Sequence, residues 1–373
     1  MKYIFFVLNH PAHFHLFKHS IRALRRKGHK CELFAREKDV LIKLLQQGGF
    51  SFNTIAASAR DKKDILLSSF IDLAKKEIEL AKHTRRRKPD LMIGTDWAIT
   101  HVGRIFNIPS LVFNEDDTKA TPENRFFYPF AKTLLLPDCC DRGLWLKKRV
   151  SYSGYHELAY LHPNRFIPDD ELVGKHIGSN KPYIIVRLVK LLASHDVGKK
   201  GLGKELLREI VRKAKGYQIY ISFEGEPLSG YEKYRYTFDP TIMHHFLANA
   251  HAVIGDSQTM IAEAATLGTP AIRFNDFVGR LGYLSELESK YGLCYGYRTN
   301  QKEEFLSKVS RILDMKDLKR VWKQKTDKML DDKIDVTAFF VWFIEHYPKS
   351  RFIMRDNPDY QYRFRSKNGI ETL

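Results

Sequence analysis

The sequence is poor in cysteine: four in 373 residues, Cys31, Cys139, Cys140 and Cys294, with no C-x-x-C spacing and one adjacent pair that cannot easily bridge to itself. That usage fits a reducing compartment and gives no disulfide framework. Long apolar runs are also missing. The segment FFVWFI near residue 340 falls far short of the roughly 18 apolar residues needed to cross a bilayer. The N-terminus MKYIFFVLNHPAHFH has a short apolar run that ends at histidines, with no small-residue cleavage site, so it reads as a first strand rather than a signal peptide. Low-complexity tracts and short repeats are absent too. These absences predict a soluble cytoplasmic protein, at most peripheral on the inner face of a membrane.

What is present points to packed domains. At 43% hydrophobic and 13% aromatic residues the chain has enough apolar surface for well-formed cores, and its length predicts two of them. The formal charge of +18 calls for a polyanionic partner. Residues 1–160 hold 28 Lys and Arg against 17 Asp and Glu, an excess of 11, which concentrates the charge in the first half. Two clusters stand out: Arg22, Arg25, Arg26, Lys27 and Lys30, and the block Arg85 to Lys88. Anionic lipid or a phosphate-bearing acceptor would satisfy such a face, and solvated helix ends are the plain alternative. A nucleic-acid-binding protein is the reading from another class. It has only the charge behind it, because no helix-turn-helix, zinc-finger or RNP-type aromatic pattern is visible.

Strand-like and helix-like segments alternate along the chain. YIFFVL, a helix from about His15 to Lys27, KCELFA, DLMIGT and PSLVFN make one series. PYIIVRL, a helix over 202–215, QIYISFE, IMHHFLANA, HAVIGD, MIAEAATLG and PAIRF make a second. Such alternation predicts an α/β protein with two doubly wound parallel sheets. The expected domains are residues 1–165 and 181–334, joined by a linker over 166–180. A helix over about 335–348, TAFFVWFIEHY, is expected to return to the first domain, with a tail over 349–373. The stretch 151–181, rich in Pro, Gly and Asp, reads as the interdomain connection.

The segment GDSQTMIAEAATLGTPAIR, residues 255–273, carries the clearest chemistry. Strand, polar turn and helix follow in order, with Gly268 and Pro270 as the helix stop. A helix starting just after Ser257 turns free N–H groups and a positive dipole end toward the turn, which suits a phosphate. Ser257, Gln258 and Thr259 add donors. Glu263, one turn further on, is placed to accept from the two hydroxyls of a ribose. Taken singly, Ser257 or Thr259 is equally a helix cap and Glu263 a solvated carboxylate.

The pattern Asp256, Ser257, Glu263, Ala264, Leu267, Gly268, Pro270 resembles the nucleotide-sugar motif of GT-B enzymes. It is most similar to that of the non-hydrolysing UDP-N-acetylglucosamine 2-epimerases and, more loosely, the N-acetylglucosaminyl transferase that forms lipid II. Through FVLNHPAHFHLFK, YSGYHELAYLHPNRFIPD and ASHD the chain also resembles an uncharacterised family of predicted GT-B glycosyltransferases, over about residues 1–345. The resemblance implies a GT-B fold of two Rossmann-like domains facing across a cleft, with the diphosphate near Ser257 and the ribose near Glu263. It also implies that the loop Asp239 to Ile242 holds the nucleotide base. His244 and His245 read as a helix-surface pair. Arg187, at the C-terminal end of PYIIVRL, sits where open α/β sheets bind ligands and would stabilise a diphosphate leaving group, unless it is a simple surface arginine.

In the first half, His10, His13 and His15 follow the first strand on what reads as a loop. Their setting lacks a metal-ligand spacing, so no metal is expected. His13 is the preferred general base, with a loop-pinning histidine as the alternative. Asp96 after IGT, and Glu115 and Asp116 after VFN, are acids at strand ends, roughly where the epimerases keep catalytic acids. Helix capping is the competing role.

Sugar transfer from a nucleotide-diphosphate sugar, a UDP-sugar foremost, to a glycan or lipid-linked hydroxyl acceptor is therefore the leading expectation. The nucleotide sugar is a co-substrate, and no other cofactor is expected. Epimerisation at C2 of a UDP-sugar is the alternative. The epimerases' arginine- and proline-bearing first loop is replaced here by HPAHFH, and their His-Arg-Arg-Glu-Asn run by VRLVKLLASHD.

Overall fold

The computed structural model describes residues 1–37, 39–55, 65–95, 97–117, 121–140, 145–177, 181–189, 201–224 and 228–365. Asp96 and the ASHD segment lie outside them. The chain forms two compact units: Met1–Arg165 with Lys333–Leu373, and Phe166–Asp332.

The first unit is built on seven parallel strands: β1 (Tyr3–Leu8), β2 (Lys30–Arg36), β3 (Asn53–Ile55), β4 (Leu91–Gly94), β5 (Ser110–Phe113), β6 (Thr133–Pro137) and β7 (Arg149–Tyr152), in the order β3-β2-β1-β4-β5-β6-β7. Every residue of β1 from Ile4 to Leu8 is buried, because helices cover both faces of a parallel sheet and the strand is a continuous apolar run rather than an alternating one. Helices α1 (Pro11–Arg26), α2 (Asp39–Gln47), α3 (Ile65–Arg86), α4 (Ala98–Ile105) and α5 (Asn124–Phe127) lie in the crossovers, and α6 (Leu158–Leu161) follows the last strand. The sequence series contained neither β3, β6 nor β7. These are three to five residues long, too short to separate from a buried helix turn by periodicity.

The second unit has five parallel strands: β8 (Tyr183–Leu188), β9 (Gln218–Phe223), β10 (Ala252–Gly255), β11 (Ala271–Phe274) and β12 (Cys294–Tyr297), in the order β12-β11-β10-β8-β9. Around them run α7 (Asp170–Ile177), α8 (Lys204–Lys213), α9 (Met243–Asn249), α10 (Gln258–Thr266), α11 (Gly282–Ser289), α12 (Lys302–Leu313) and α13 (Leu318–Asp332). The winding direction reverses between β1 and β4 in one sheet and between β8 and β10 in the other. Ligands of open α/β sheets bind at such switch points, at the carboxyl ends of the strands.

Each switch point is closed by a glycine. A Cβ on Gly94 would lie 2.7 Å from the Val7 carbonyl oxygen, and one on Gly255 would lie 2.7 Å from that of Arg187. The bare backbone is what lets β4 and β10 run close beside β1 and β8 at their last residues.

The chain returns to the first unit through α14 (Val336–Glu345), followed by α15 (Lys349–Asp356) and a 3-10 turn over Pro358–Phe364. Eight of the ten residues of α14 are buried, as expected of a helix apolar on all sides. Phe340 lies 4.5 Å from Phe113, ring centre to ring centre. Asp335 caps the helix, accepting from the Ala338 N–H at 3.0 Å. Arg165 donates to the same carboxylate at 2.6 Å and Asn164 at 3.2 Å. The stretch 151–181 is therefore not a simple connection. Its first part, through α6 and Arg165, packs into the first unit, because Tyr152, Tyr155, Leu158, Ala159 and Tyr160 are core residues. Among the described residues no helix is long and apolar enough to cross a membrane.

Candidate functional site

In the second unit, the end of β10 and the start of α10 form a polar elbow at the switch point. Ser257 is extended and caps α10, its Oγ accepting from the Met260 N–H at 3.3 Å. One of the four N–H groups that a helix start leaves without an intrahelical partner is thus satisfied. Gln258 and Thr259 are half-buried in the first turn.

Asp256, just before, is buried and serves as a brace. Its carboxylate accepts from the N–H of Val189 at 2.9 Å and of Leu202 at 3.2 Å, tying the end of β8 to the start of α8. Burial pushes its pKa up to about 6, against the pull of those N–H donors and of Arg187. Asn275 donates from its side chain to the Asp256 carbonyl at 2.7 Å and joins the end of β11 to the same point.

Arg187 stands beside Gly255 in the strand register. Its guanidinium donates to Ser222 Oγ at 2.9 Å, with Glu224 at 3.8 Å, and burial lowers its pKa. It is a half-buried, anchored cation rather than a simple surface arginine. Asp239 precedes α9 and closes a 3-10 turn over Pro240–Ile242, accepting from the Thr241 N–H at 2.9 Å and hydroxyl at 2.8 Å. Ile242 is half-buried at the end of that turn.

Glu263 is 7% exposed, so it is not a solvated carboxylate. Its partner is His244, whose Nε2 lies 3.1 Å from Glu263 Oε1. The expectation of His244 and His245 as a surface pair is corrected for the first of them. His244 and Leu247, three residues apart, share the buried face of α9 that packs on α10. His245 is half-buried and accepts at Nδ1 from the Asp169 N–H at 3.0 Å.

In the first unit the histidines do not sit on a loop. The helix α1 starts at Pro11, with His10 as its cap accepting at Nδ1 from the Ala12 N–H at 3.2 Å. Proline at the first helical position is what the sequence offered as a signal for this earlier start. His13 lies in the first turn. Its Nδ1 accepts from the Asn9 N–H at 3.2 Å, and Thr95 Oγ1 lies 2.8 Å from Nε2 and 2.9 Å from Nδ1. Thr95 follows directly on β4, so His13 spans the switch point. His15 points elsewhere, against the Tyr160 ring at 5.2 Å.

Glu115 and Asp116 follow β5 in a turn organised by Asn114, whose Oδ1 accepts from both of their N–H groups at 2.9 and 3.2 Å. Glu115 Oε2 accepts from the His156 N–H at 3.2 Å and lies 3.5 Å from His156 Nδ1. Burial raises the Glu115 pKa well above the usual carboxylate range, and the charges of Glu157 and Asp116 add to this. Burial lowers that of His156 to about 3. A histidine held neutral by burial thus faces a carboxyl group whose ionisation burial opposes. Sequence reasoning quoted GYHE but gave His156 and Glu157 no role. Thr95, Ser222 and Asn275 carried no motif signal at all.

Two doubly wound parallel units, each with polar side chains at its switch point, define a GT-B-type α/β fold. Over residues 3–338 the sequence matches the family described as a protein of unknown function, DUF354, and the chain belongs to that family. No curated protein matches the sequence. Among solved structures, MnaA of S. aureus with UDP is similar at a TM-score of 0.70 and 12% identity, over 94% of this chain and 98% of that one. The glycotransferase of kitacinnamycin is similar at 0.59 and 12%, over 92% and 98%. A UDP-GlcNAc 2-epimerase from Neisseria meningitidis bound to UDP-GlcNAc is similar at 0.56 and 10%, over 87% and 100%. At such identities the likeness establishes the fold.

Proposed function

We propose that the chain is a glycosyltransferase that moves a hexosyl group from a UDP-sugar to a hydroxyl acceptor in the synthesis of a surface polysaccharide or glycolipid. The observation that carries this reading is the pairing, on the one short helix α10, of the Ser257-capped start with the buried Glu263, which His244 meets from α9. A phosphate is met by the helix start and a ribose by a carboxylate whose second oxygen is aimed by the histidine. Arg187 supplies the fixed positive charge for the diphosphate, so the reading needs no metal. The loop Asp239–Ile242 holds the base.

In the reaction the acceptor oxygen bonds to the anomeric carbon as the bond from that carbon to the diphosphate oxygen breaks, and the acceptor proton passes to a base. His13 remains the first choice, with Asp116 and Asp96 after it. Glu115 serves less well, because its carboxyl group is buried and already accepts from the His156 N–H. A single displacement of this kind inverts the anomeric centre.

Calorimetric titration with UDP tests the donor half. Binding is expected for the native chain and its loss in Glu263→Ala and in Ser257→Ala with unchanged circular dichroism; equal affinities in all three would overturn the assignment. Incubation with UDP-N-acetylglucosamine in heavy water separates the alternative, since epimerisation leaves deuterium at C2 and transfer leaves none.

A further inference from the structure

The opposite edge of the first unit's sheet, where strands begin, carries a pocket with its own chemistry. Its volume is about 530 Å³, and its lining includes Arg104, Lys132, Lys148 and Arg351 but no acidic residue. None of the four cations forms an ion pair with a carboxylate among the described residues. Lys148 Nζ donates to the carbonyl oxygens of Pro129 and Tyr128, and Arg351 donates to the Lys147 carbonyl at 2.8 Å. The Lys148 pKa is lowered by burial and then by Arg351, Lys132 and Arg104, so the four act on one another as like charges at close range.

Helix dipoles account for only part of this. Arg104 lies in the last turn of α4, where a cation complements the dipole. Arg351, however, lies in the first turn of α15, and Lys132 and Lys148 are on no α-helix. A cation at a helix start is unfavourable unless an anion is brought to it.

Exposed apolar side chains accompany these cations: Phe130, in the lining, is 45% exposed, and Ile105, Leu146 and Phe352, next to or near Arg104, Lys148 and Arg351 in sequence, are 75%, 60% and 48% exposed. A second concavity, lined by Met1, Lys2, Asp90 and Tyr347 among others, shares Pro109 and Lys132 with the first. A third shares Met1, Lys2 and Asp90 with the second and adds Arg25, Lys30, Glu32 and Arg87, the last two paired at 3.1 Å. The basic clusters at the ends of α1 and α3 thus join the same edge. Exposed aliphatic and aromatic side chains among cations, the four of the pocket without a carboxylate partner among the described residues, are what an interfacial surface needs: the rings and chains enter the headgroup layer while the cations neutralise phosphates.

We propose that this edge docks on an anionic lipid surface, with one lipid phosphate taken into the pocket of Arg104, Lys132, Lys148 and Arg351. The docking does not depend on the nucleotide site, which belongs to the second unit.

Flotation of the full chain with vesicles is the test. Binding is expected to vesicles of equal parts phosphatidylcholine and phosphatidylglycerol and not to phosphatidylcholine alone. The double variant Arg104→Glu, Lys132→Glu changes two exposed residues and is expected to reduce partitioning at least about thirtyfold, from roughly 1 kcal/mol per basic residue near such a surface. Ile105→Ser with Phe130→Ser is expected to weaken binding at unchanged charge. Lys316→Glu with Lys319→Glu, on the second unit, gives the same net charge and is expected to bind as the native chain does; equal loss there would reduce the effect to bulk charge and overturn the proposal. Equal flotation with both vesicle types would overturn it as well. So would tight calorimetric binding of inorganic phosphate by a chain that leaves anionic vesicles unbound, which would assign the pocket to a free anion.

Discussion

His244 Nε2 and Glu263 Oε1 stand 3.1 Å apart, with only 6% and 9% of the two side chains exposed. A buried carboxylate with one oxygen engaged has a fixed direction for the other, and the histidine sets that direction. His244→Ala is expected to weaken UDP binding about tenfold and to cost about 1–3 kcal/mol of stability, the cost of removing one partner from a buried carboxylate. Calorimetry with UDP and urea unfolding measure the two effects separately, and unchanged affinity would show that Glu263 needs no partner.

Asp256 gives a pH signature of definite sign. Its folded pKa, about 6, is above the ordinary value of 3.8, so between those values the folded state holds a proton that the unfolded state has lost. Stability contributed at low pH is therefore lost as pH rises through that window, by about 3 kcal/mol if the full shift is expressed. Asp256→Asn removes the titration. The stability difference between native chain and variant, followed by urea unfolding from acid to neutral pH, is expected to move in the variant's favour as pH rises; a flat difference would contradict the raised pKa.

The glycines at the two switch points are open to direct test. Gly255→Ala places its Cβ 2.7 Å from the Arg187 carbonyl oxygen and 3.0 Å from its Cβ, and neither neighbour is the free end of a flexible chain. A loss of about 1–3 kcal/mol is expected, together with weaker UDP binding, because the shift falls at the elbow. Gly94→Ala meets the same obstacle at Val7 and is expected to cost similar stability while leaving UDP affinity unchanged.

Asp335 combines the cap of α14 with the pair to Arg165, and its side chain is 3% exposed. Asp335→Ala is expected to cost about 3 kcal/mol or more, read as a lower midpoint in urea. Asp335→Asn keeps an acceptor for the Ala338 N–H and is expected to lose less.

The doubly wound fold was legible in the sequence because parallel strands buried on both faces appear as apolar runs such as YIFFVL and PYIIVRL, each followed by a periodic helix. Ser257 and Glu263 were legible because their spacing is local, set by one turn of one helix. His244 was not. It meets Glu263 from a separate helix nineteen residues upstream in sequence, and a two-histidine run in a helical pattern carries no mark of which ring turns inward. The start of α1 was misplaced for a different reason: three histidines and a proline read as irregular, although Pro11 fits the first helical position and His10 the cap. Asp256 shows the reverse case, a residue inside a ligand motif whose carboxylate is spent on the backbone N–H groups of Val189 and Leu202.

The Arg165–Asp335 pair fastens the point where the chain leaves the first unit to the point where it comes back. The second unit is thus an excursion that begins and ends at one place, and the first unit is finished only by a segment that follows the second in sequence. Until α14 arrives, the faces of α1 and α6 that it covers, and Phe113 beneath Phe340, have nothing over them. A growing chain can complete the inserted unit first and must hold the other open until α14 emerges, so a truncation near residue 332 is expected to spare the inserted unit and leave its host unable to close.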